Sequence, residues 1–203
     1  MLLKVYPENP NPRDIQRVAE IVRNGGVVIF PTDTIYGLGC DIFNAKAVEK
    51  VCKIKGLNPE KNVLSVICHD LSQASEFAKI DNQTFKLLKN NLPGPFTFIL
   101  NGNSKLPRMF KNKKTIGIRI PDNNIILELV KELGNPIMTT SIRTTEEDVA
   151  EYLSDPELIH EQYRNLVDLV IDGGYGNIEA STVVDCTDDE LVITRQGKGE
   201  LSV

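Results

Sequence analysis

The chain is poor in the residues on which many enzymes rely. It has no tryptophan and only two histidines, His69 and His160. They stand far apart with no H-x-x-x-H neighbourhood, which argues against a zinc site or a histidine-based triad. Four cysteines, Cys40, Cys52, Cys68 and Cys186, lie at wide, irregular spacings with no C-x-x-C pair. They are expected to be reduced packing residues rather than metal ligands or bridges. No apolar run approaches the roughly 20 residues of a membrane span. The start, Met1-Leu2-Leu3-Lys4-Val5-Tyr6, lacks the longer apolar core and cleavage site of a secretory signal, so a cytoplasmic location is expected. No G-x-x-x-x-G-K-[ST] occurs, and Gly37 with Gly39 is too short for a dinucleotide fingerprint.

A hydrophobic fraction of 41% over 203 residues is ordinary for a globular chain with a sizeable core. A single domain over residues 1–203 is expected. The net charge of −5 disfavours a generally basic nucleic-acid surface. The charge is polarised, however. Lys53, Lys55, Lys61, Lys111, Lys113, Lys114 and Arg119 concentrate mid-chain, and Glu146, Glu147, Asp148, Glu151, Asp155, Glu157 and Glu161 acidify a later stretch.

Asn11-Pro12 followed by Ile15, Val18, Ala19 and Val22 predicts a capped amphipathic helix closed by Gly25-Gly26. Strand Val27 to Phe30, a polar loop, and a helix from about Ala45 to Lys55 follow. Further on, strands at Val63–Cys68, Phe96–Leu100, Thr115–Ile120, Ile137–Thr140, Leu169–Ile171, Thr182–Asp185 and Leu191–Thr194 interleave with helices. Gly173-Gly174 and Asp188-Asp189 mark turns. The alternation implies an α/β sandwich around a mixed sheet.

Five polar clusters follow or end strands, where α/β folds gather ligands. They are Thr32 to Gly37; Lys53, Lys55 and Lys61 with Asn62; Lys114-Thr115 with Arg119; Thr139 to Arg143; and Ser181-Thr182 with Arg195. Residues 31–39 read as a surface loop built to hold something small and polar. Cations and hydroxyls dominate these clusters, which suits an anionic ligand. Each cluster also has a structural reading: threonines that cap a turn, lysines at a helix end, an arginine in an ion pair.

Five ordered motifs resemble the YrdC family of threonylcarbamoyl-adenylate synthases. They are Gly25 to Gly39, Pro93-Gly94-Pro95-Phe96-Thr97, Gly117-Ile118-Arg119-Ile120-Pro121, Ser181-Thr182-Val183-Val184-Asp185 and Thr194-Arg195-Gln196-Gly197. The resemblance implies a three-layer α/β domain whose twisted mixed sheet encloses a concave, locally positive face. It implies an enzyme that joins threonine, bicarbonate and ATP, with magnesium, into threonylcarbamoyl-AMP and pyrophosphate. The carbamoyl group then passes to an adenosine of tRNA with the help of downstream tRNA-modification proteins. No protein nucleophile is needed; positioning and charge neutralisation suffice.

By motif, the resemblance implies that Thr34 contacts threonine, Thr32 and Tyr36 shape its pocket, Arg119 clamps the carboxylate, and Ser181 stands on the threonine side. It likewise implies that Lys53, Lys55, Lys61, Asn62, Thr115, Ser141, Arg143 and Arg195 serve the nucleotide, with no protein metal site. Three departures point to the YciO-type branch, one of them a few extra residues before Lys61. The family's lysine-x-arginine-proline is here Lys53-Ile54-Lys55-Gly56, and its serine-x-asparagine is Ser141-Ile142-Arg143. The competing reading is a module that binds tRNA or double-stranded RNA through phosphate contacts from Lys53, Lys55, Lys61, Lys111, Lys113 and Lys114.

Overall fold

The computed structural model of the chain describes residues 1–111, 113–143, 149–188 and 190–203. Glu146, Glu147 and Asp148 of the acidic stretch and Asp189 of the expected turn lie outside the described residues.

The first half of the chain runs β1 (Leu2–Lys4), α1 (Pro12–Arg23), β2 (Val28–Phe30), β3 (Gly37–Asp41), α2 (Ala45–Lys55), β4 (Ser65–Ile67), α3 (Leu71–Phe77), α4 (Asn82–Asn91) and β5 (Phe96–Asn101). After a short 3-10 turn at Arg108–Phe110 come β6 (Thr115–Arg119), α5 (Asn124–Leu133), β7 (Ile137–Ser141), α6 (Ala150–Ser154), α7 (Pro156–Tyr163), β8 (Leu169–Asp172), β9 (Thr182–Asp185) and β10 (Val192–Arg195). The strands form one mixed sheet in the order β1-β8-β2-β3-β7-β4-β6-β5-β9-β10.

Local chemistry sets the helix limits. The Asn11 side chain accepts from the Arg13 N–H, and Pro12 opens α1. Asn123 caps α5 in the same way, and Gly134 ends it in the left-handed region at φ 81°. Ile15, Val18, Ala19 and Val22 of α1 meet Ile125, Ile126, Leu129 and Val130 of α5 over Val28, Phe30, Ile67 and Ile137 of the sheet. On the opposite face Ile29, Leu38 and Cys40 pack on Ala47, Val48 and Val51 of α2 and on Ile159 and Tyr163 of α7. Helices thus cover both faces, giving three layers. Each fully buried Val, Leu or Ile contributes about 1.5–3 kcal/mol. The four cysteines are free thiols and three are buried, as packing residues should be. Among the described residues no helix is long and apolar enough to cross a membrane.

The structure corrects the sequence reading at three places. Strand β1 at the sheet edge and helix α6 in the acidic stretch carry too little periodicity over 3 and 5 residues to be read in advance. The larger correction is residues 31–39, which are not a surface loop. Thr32, Thr34, Ile35 and Tyr36 are buried, and the chain from Gly37 onward is strand β3. Glycine is depleted from strands in general. Here close packing demands it: a Cβ on Gly39 would lie 2.0 Å from the Met138 carbonyl oxygen, and one on Gly37 would lie 2.5 Å from the Phe30 ring.

The register decides where a site can form. One row across the sheet pairs Ile137 with Ile67 and Ile67 with Arg119. The next row runs Gly39, Thr139, Ser65, Gly117 and Ile99. Side chains two residues apart on a strand share a face, so Thr139 and Ser65 continue the face that Ile137 and Ile67 bury under α5 and α1. Beyond those helices the same face turns polar, and a cavity opens there.

Candidate functional site

The cavity has a volume of about 260 Å³. Its floor includes Thr139, Ser65 and Ile99 from the row just described, and its walls include Thr34, Thr97, Arg119, Ser141, Ser181 and Arg195. Gly117 stands between Ser65 and Ile99 in that row. A Cβ there would stand 2.3 Å from Ser65 Oγ and 3.1 Å from Thr97 Cγ2.

The buried turn after β2 supplies one wall. Thr32 Oγ1 donates to the Ile35 carbonyl at 2.9 Å and accepts from the Thr34 N–H at 3.0 Å. That fixes Thr34, whose Oγ1 accepts from Arg119 Nη2 at 2.9 Å. Asp33 lies behind the guanidinium with Oδ1 at 3.6 Å from Nη2, and its Oδ2 accepts from the Asp122 N–H at 3.0 Å. Burial lowers the Arg119 pKa from its ordinary value; Asp33 opposes that shift and Arg195 adds to it. Burial likewise raises the Asp33 pKa, against the Asp122 N–H bond and the Arg119 charge.

The other wall comes from the start of β9. Arg195 donates from Nε and Nη2 to the Ser181 carbonyl at 3.0 and 2.8 Å, and from Nη2 to Ser181 Oγ at 3.1 Å. Ser181 Oγ lies 2.9 Å from Thr97 Oγ1. Three buried polar atoms have no hydrogen-bond partner among the described residues: Arg119 Nε, Thr139 Oγ1 and Asp33 Oδ1. Two of these belong to residues that line the cavity, so a buried donor and a hydroxyl stand ready for a polar ligand.

Of the residues singled out in the sequence, Thr34, Arg119, Ser141, Ser181 and Arg195 line this cavity. Thr32 sits behind Thr34 as its brace. Tyr36 does not line the cavity. Its hydroxyl donates to the Gly174 carbonyl at 2.7 Å and accepts from the Gly173 N–H at 3.1 Å, clipping the turn after β8. Thr115 shares the face of Gly117 two residues earlier in β6 but is not part of the lining. Lys55 Nζ donates to the Ile142 and Arg143 carbonyls at 3.1 and 2.9 Å, which ties the end of α2 to the segment leaving β7. Arg143 is half-buried just past that strand. Lys53, Lys61 and Asn62 are exposed, and Asn62 Oδ1 accepts from the Asn58 N–H within its own turn. Lys111 and Lys114 line a separate hollow with Lys79.

Sequence reasoning missed Ser65 on the floor and gave no role to Thr97 or to Asp33 behind Arg119. The missing signal was register, since alternation within each strand marks which residues share a face but not which strands lie side by side. No group of three or more His, Cys, Asp or Glu among the described residues could hold a metal ion.

Residues 20–197 match the Sua5_yciO_yrdC family model, described as Telomere recombination. The chain is 42% identical over 199 residues to the Escherichia coli (strain K12) protein named Uncharacterized protein YciO, covering 97% of this chain and 95% of the relative. The crystal structure of E. coli YciO superimposes with a TM-score of 0.91 at 41% identity, over 98% of this chain and 97% of that one. Bacillus subtilis (strain 168) threonylcarbamoyl-AMP synthase is 33% identical over 92% of this chain and 54% of its own length. The crystal structure of P. abyssi Sua5 complexed with L-threonine matches with a TM-score of 0.87 at 28% identity, over 97% of this chain and 57% of that one. Matched along most of its length by one family model and at 42% identity by a relative of similar length, the chain belongs to the Sua5/YciO/YrdC family.

Proposed function

We propose that the cavity binds threonine as its N-carboxylated form and that the protein makes threonylcarbamoyl-AMP from threonine, bicarbonate and ATP, toward the threonylcarbamoylation of tRNA adenosine. The observation that carries this reading is the buried Arg119, with one guanidinium nitrogen committed to Thr34 and Nε unpartnered beside a floor of hydroxyls. Such a fork suits a carboxylate. The cavity's roughly 260 Å³ lies just below the usual range for small-molecule pockets, which favours an amino-acid-sized group over a whole nucleotide. The AMP part would then lie over the open side, by Ser141 and Arg195. The names of the B. subtilis and P. abyssi relatives support the same substrate class.

In this scheme threonine's amine takes up carbon dioxide and loses a proton. A carbamate oxygen attacks the α-phosphorus of ATP, and the bond to pyrophosphate breaks. Magnesium enters with ATP as part of the substrate. The chain's contribution is to hold the carboxylate on Arg119, to orient the amino acid through Thr34 and Ser181, and to place the charge of Arg195 toward the phosphates. Threonine- and bicarbonate-dependent exchange of labelled pyrophosphate into ATP tests the reading. Exchange independent of either co-substrate contradicts it.

Arg143 is the feature that sets the turnover expected. A cation beside the nucleotide side either holds phosphate in the ground state or occupies space that the nucleotide needs, and neither lowers the barrier. Arg143→Asn is expected to raise steady-state pyrophosphate release above that of the parent at saturating threonine and bicarbonate. A folded variant that is no faster removes position 143 as the determinant.

Lys55 makes a different prediction. Because its ammonium bonds two carbonyls of the segment after Ser141, it acts on the nucleotide side by holding that segment in place. Losing both bonds in Lys55→Ala should cost about 1–3 kcal/mol, or about 3–8 °C in melting temperature, together with weaker ATP binding. An unchanged melting temperature would return Lys55 to the role of a mobile phosphate ligand.

A further inference from the structure

Residues 196–202 follow the last strand, and they bond the segment that carries Ser181. Thr182 Oγ1 donates to the Gly199 carbonyl at 2.7 Å and accepts from the Gly197 N–H at 3.0 Å. The Lys198 N–H donates to the Ala180 carbonyl at 2.9 Å. Neither glycine leaves room for a side chain: a Cβ on Gly197 would lie 2.2 Å from the Ala180 oxygen, and one on Gly199 would lie 2.5 Å from the Phe96 ring. The far end is clamped to α4. The Ser202 N–H donates to Asn91 Oδ1 at 2.9 Å, and Asn91 Nδ2 donates to the Ser202 carbonyl at 2.7 Å, with Asn91 itself buried.

From the middle of this strap the exposed Lys198 side chain reaches Asp33, and its Nζ donates to the Asp33 carbonyl at 2.8 Å. The other end of Asp33 is held by the Asp122 N–H, and the next residue is Thr34. Lys198 therefore touches two cavity segments at once. Its main chain holds the Ala180–Ser181 segment, and its side chain holds the turn that presents Thr34.

We infer that residues 196–202 form a strap that sets the spacing of the Thr34 and Ser181 sides of the cavity, with Lys198 as the positioning residue that couples them. Lys198 does not line the cavity, so its effect passes through the Asp33–Thr34 peptide. That this spacing serves threonine rests on the function proposed above; the strap itself does not.

Hydrogen exchange read by mass spectrometry, paired with threonine calorimetry, tests the inference on the full chain. In Lys198→Met, amides of residues 32–36 should exchange about fivefold faster while those of α1 and α5 keep the parent rate. Threonine affinity should fall by a similar factor. Lys198→Arg, which keeps a donor for the Asp33 carbonyl, should restore both. Parent-like exchange at 32–36 in the methionine variant overturns the strap, as does an equal rise in α1 and α5 or failure of the arginine variant to restore the turn. If the parent chain binds no threonine, the functional reading fails alone, and the exchange rates still decide the strap.

Discussion

Replacing Arg119 by methionine should weaken threonine binding about 100-fold. A charge-assisted, forked contact to a carboxylate is worth about 1.5–3 kcal/mol, and methionine keeps the stem while removing every donor. The variant has a second consequence, because Asp33 loses the cation at 3.6 Å while staying largely buried. Removing one partner of a buried pair is destabilising by up to roughly 3–5 kcal/mol, lessened here by the Asp122 N–H and the Lys198 charge that stay beside Asp33. Its folded pKa, already raised by burial, should rise further when the opposing charge goes. A group whose folded pKa exceeds its unfolded value supports the fold below the unfolded pKa and loses that support as pH rises through the folded one. The variant should therefore melt progressively lower, relative to the parent, as pH rises from the ordinary carboxyl range through the raised folded value, with no further loss above it. Adding Asp33→Asn should recover the melting temperature but not threonine binding, which separates the two roles of the arginine. Calorimetry beside melting curves across pH decides this. Undiminished threonine affinity in the folded double variant removes Arg119 from the site.

Gly117→Ala should cost at least about tenfold in threonine affinity with a smaller effect on the fold. The new methyl would meet Ser65 Oγ at 2.3 Å and both Ser65 Cβ and Thr97 Cγ2 at 3.1 Å, so the serine hydroxyl must rotate and Ser65 and Thr97, which line the cavity, must shift slightly. Backbone pairing to β4 and β5 is untouched, since alanine keeps the N–H and carbonyl of the strand. Valine at the same position should abolish binding. Adding Ser65→Ala to the alanine variant should restore part of it, because the closest atom is then gone. Threonine binding equal to the parent in Gly117→Ala would place the ligand elsewhere.

Much of this was legible in the residues themselves, and the exceptions share physical causes. Helices α1, α2 and α5 announce themselves through Asn caps, the proline at the start of α1, and the glycines that follow α2 and α5, all local signals. The motifs that carry Thr34, Arg119, Ser181 and Arg195 brought those residues into view, and the fold gathers them at one cavity. Local chemistry misled at β3, where the glycines that look like a turn are needed because Phe30 and Met138 press on the strand. It misled again at Tyr36, whose partners lie 137 and 138 residues away. Lys53, Lys61 and Asn62 form a basic cluster in sequence, yet they are exposed outside the cavity lining. Ser65 could not be found in advance because its place on the floor depends on which strands become neighbours. The sheet brings β4, β6 and β7 together by connections that skip along the chain.

The most direct test of the central claim is to incubate the full chain at high concentration with ATP, magnesium, bicarbonate and threonine, and to search for threonylcarbamoyl-AMP by mass spectrometry. The geometry of Arg119, Thr34 and the hydroxyl floor predicts that product, with pyrophosphate in equal amount, only when all three substrates are present, and its loss in Arg119→Met with Asp33→Asn. Intact ATP in the presence of bound threonine would contradict the account, as would the product forming undiminished in that double variant.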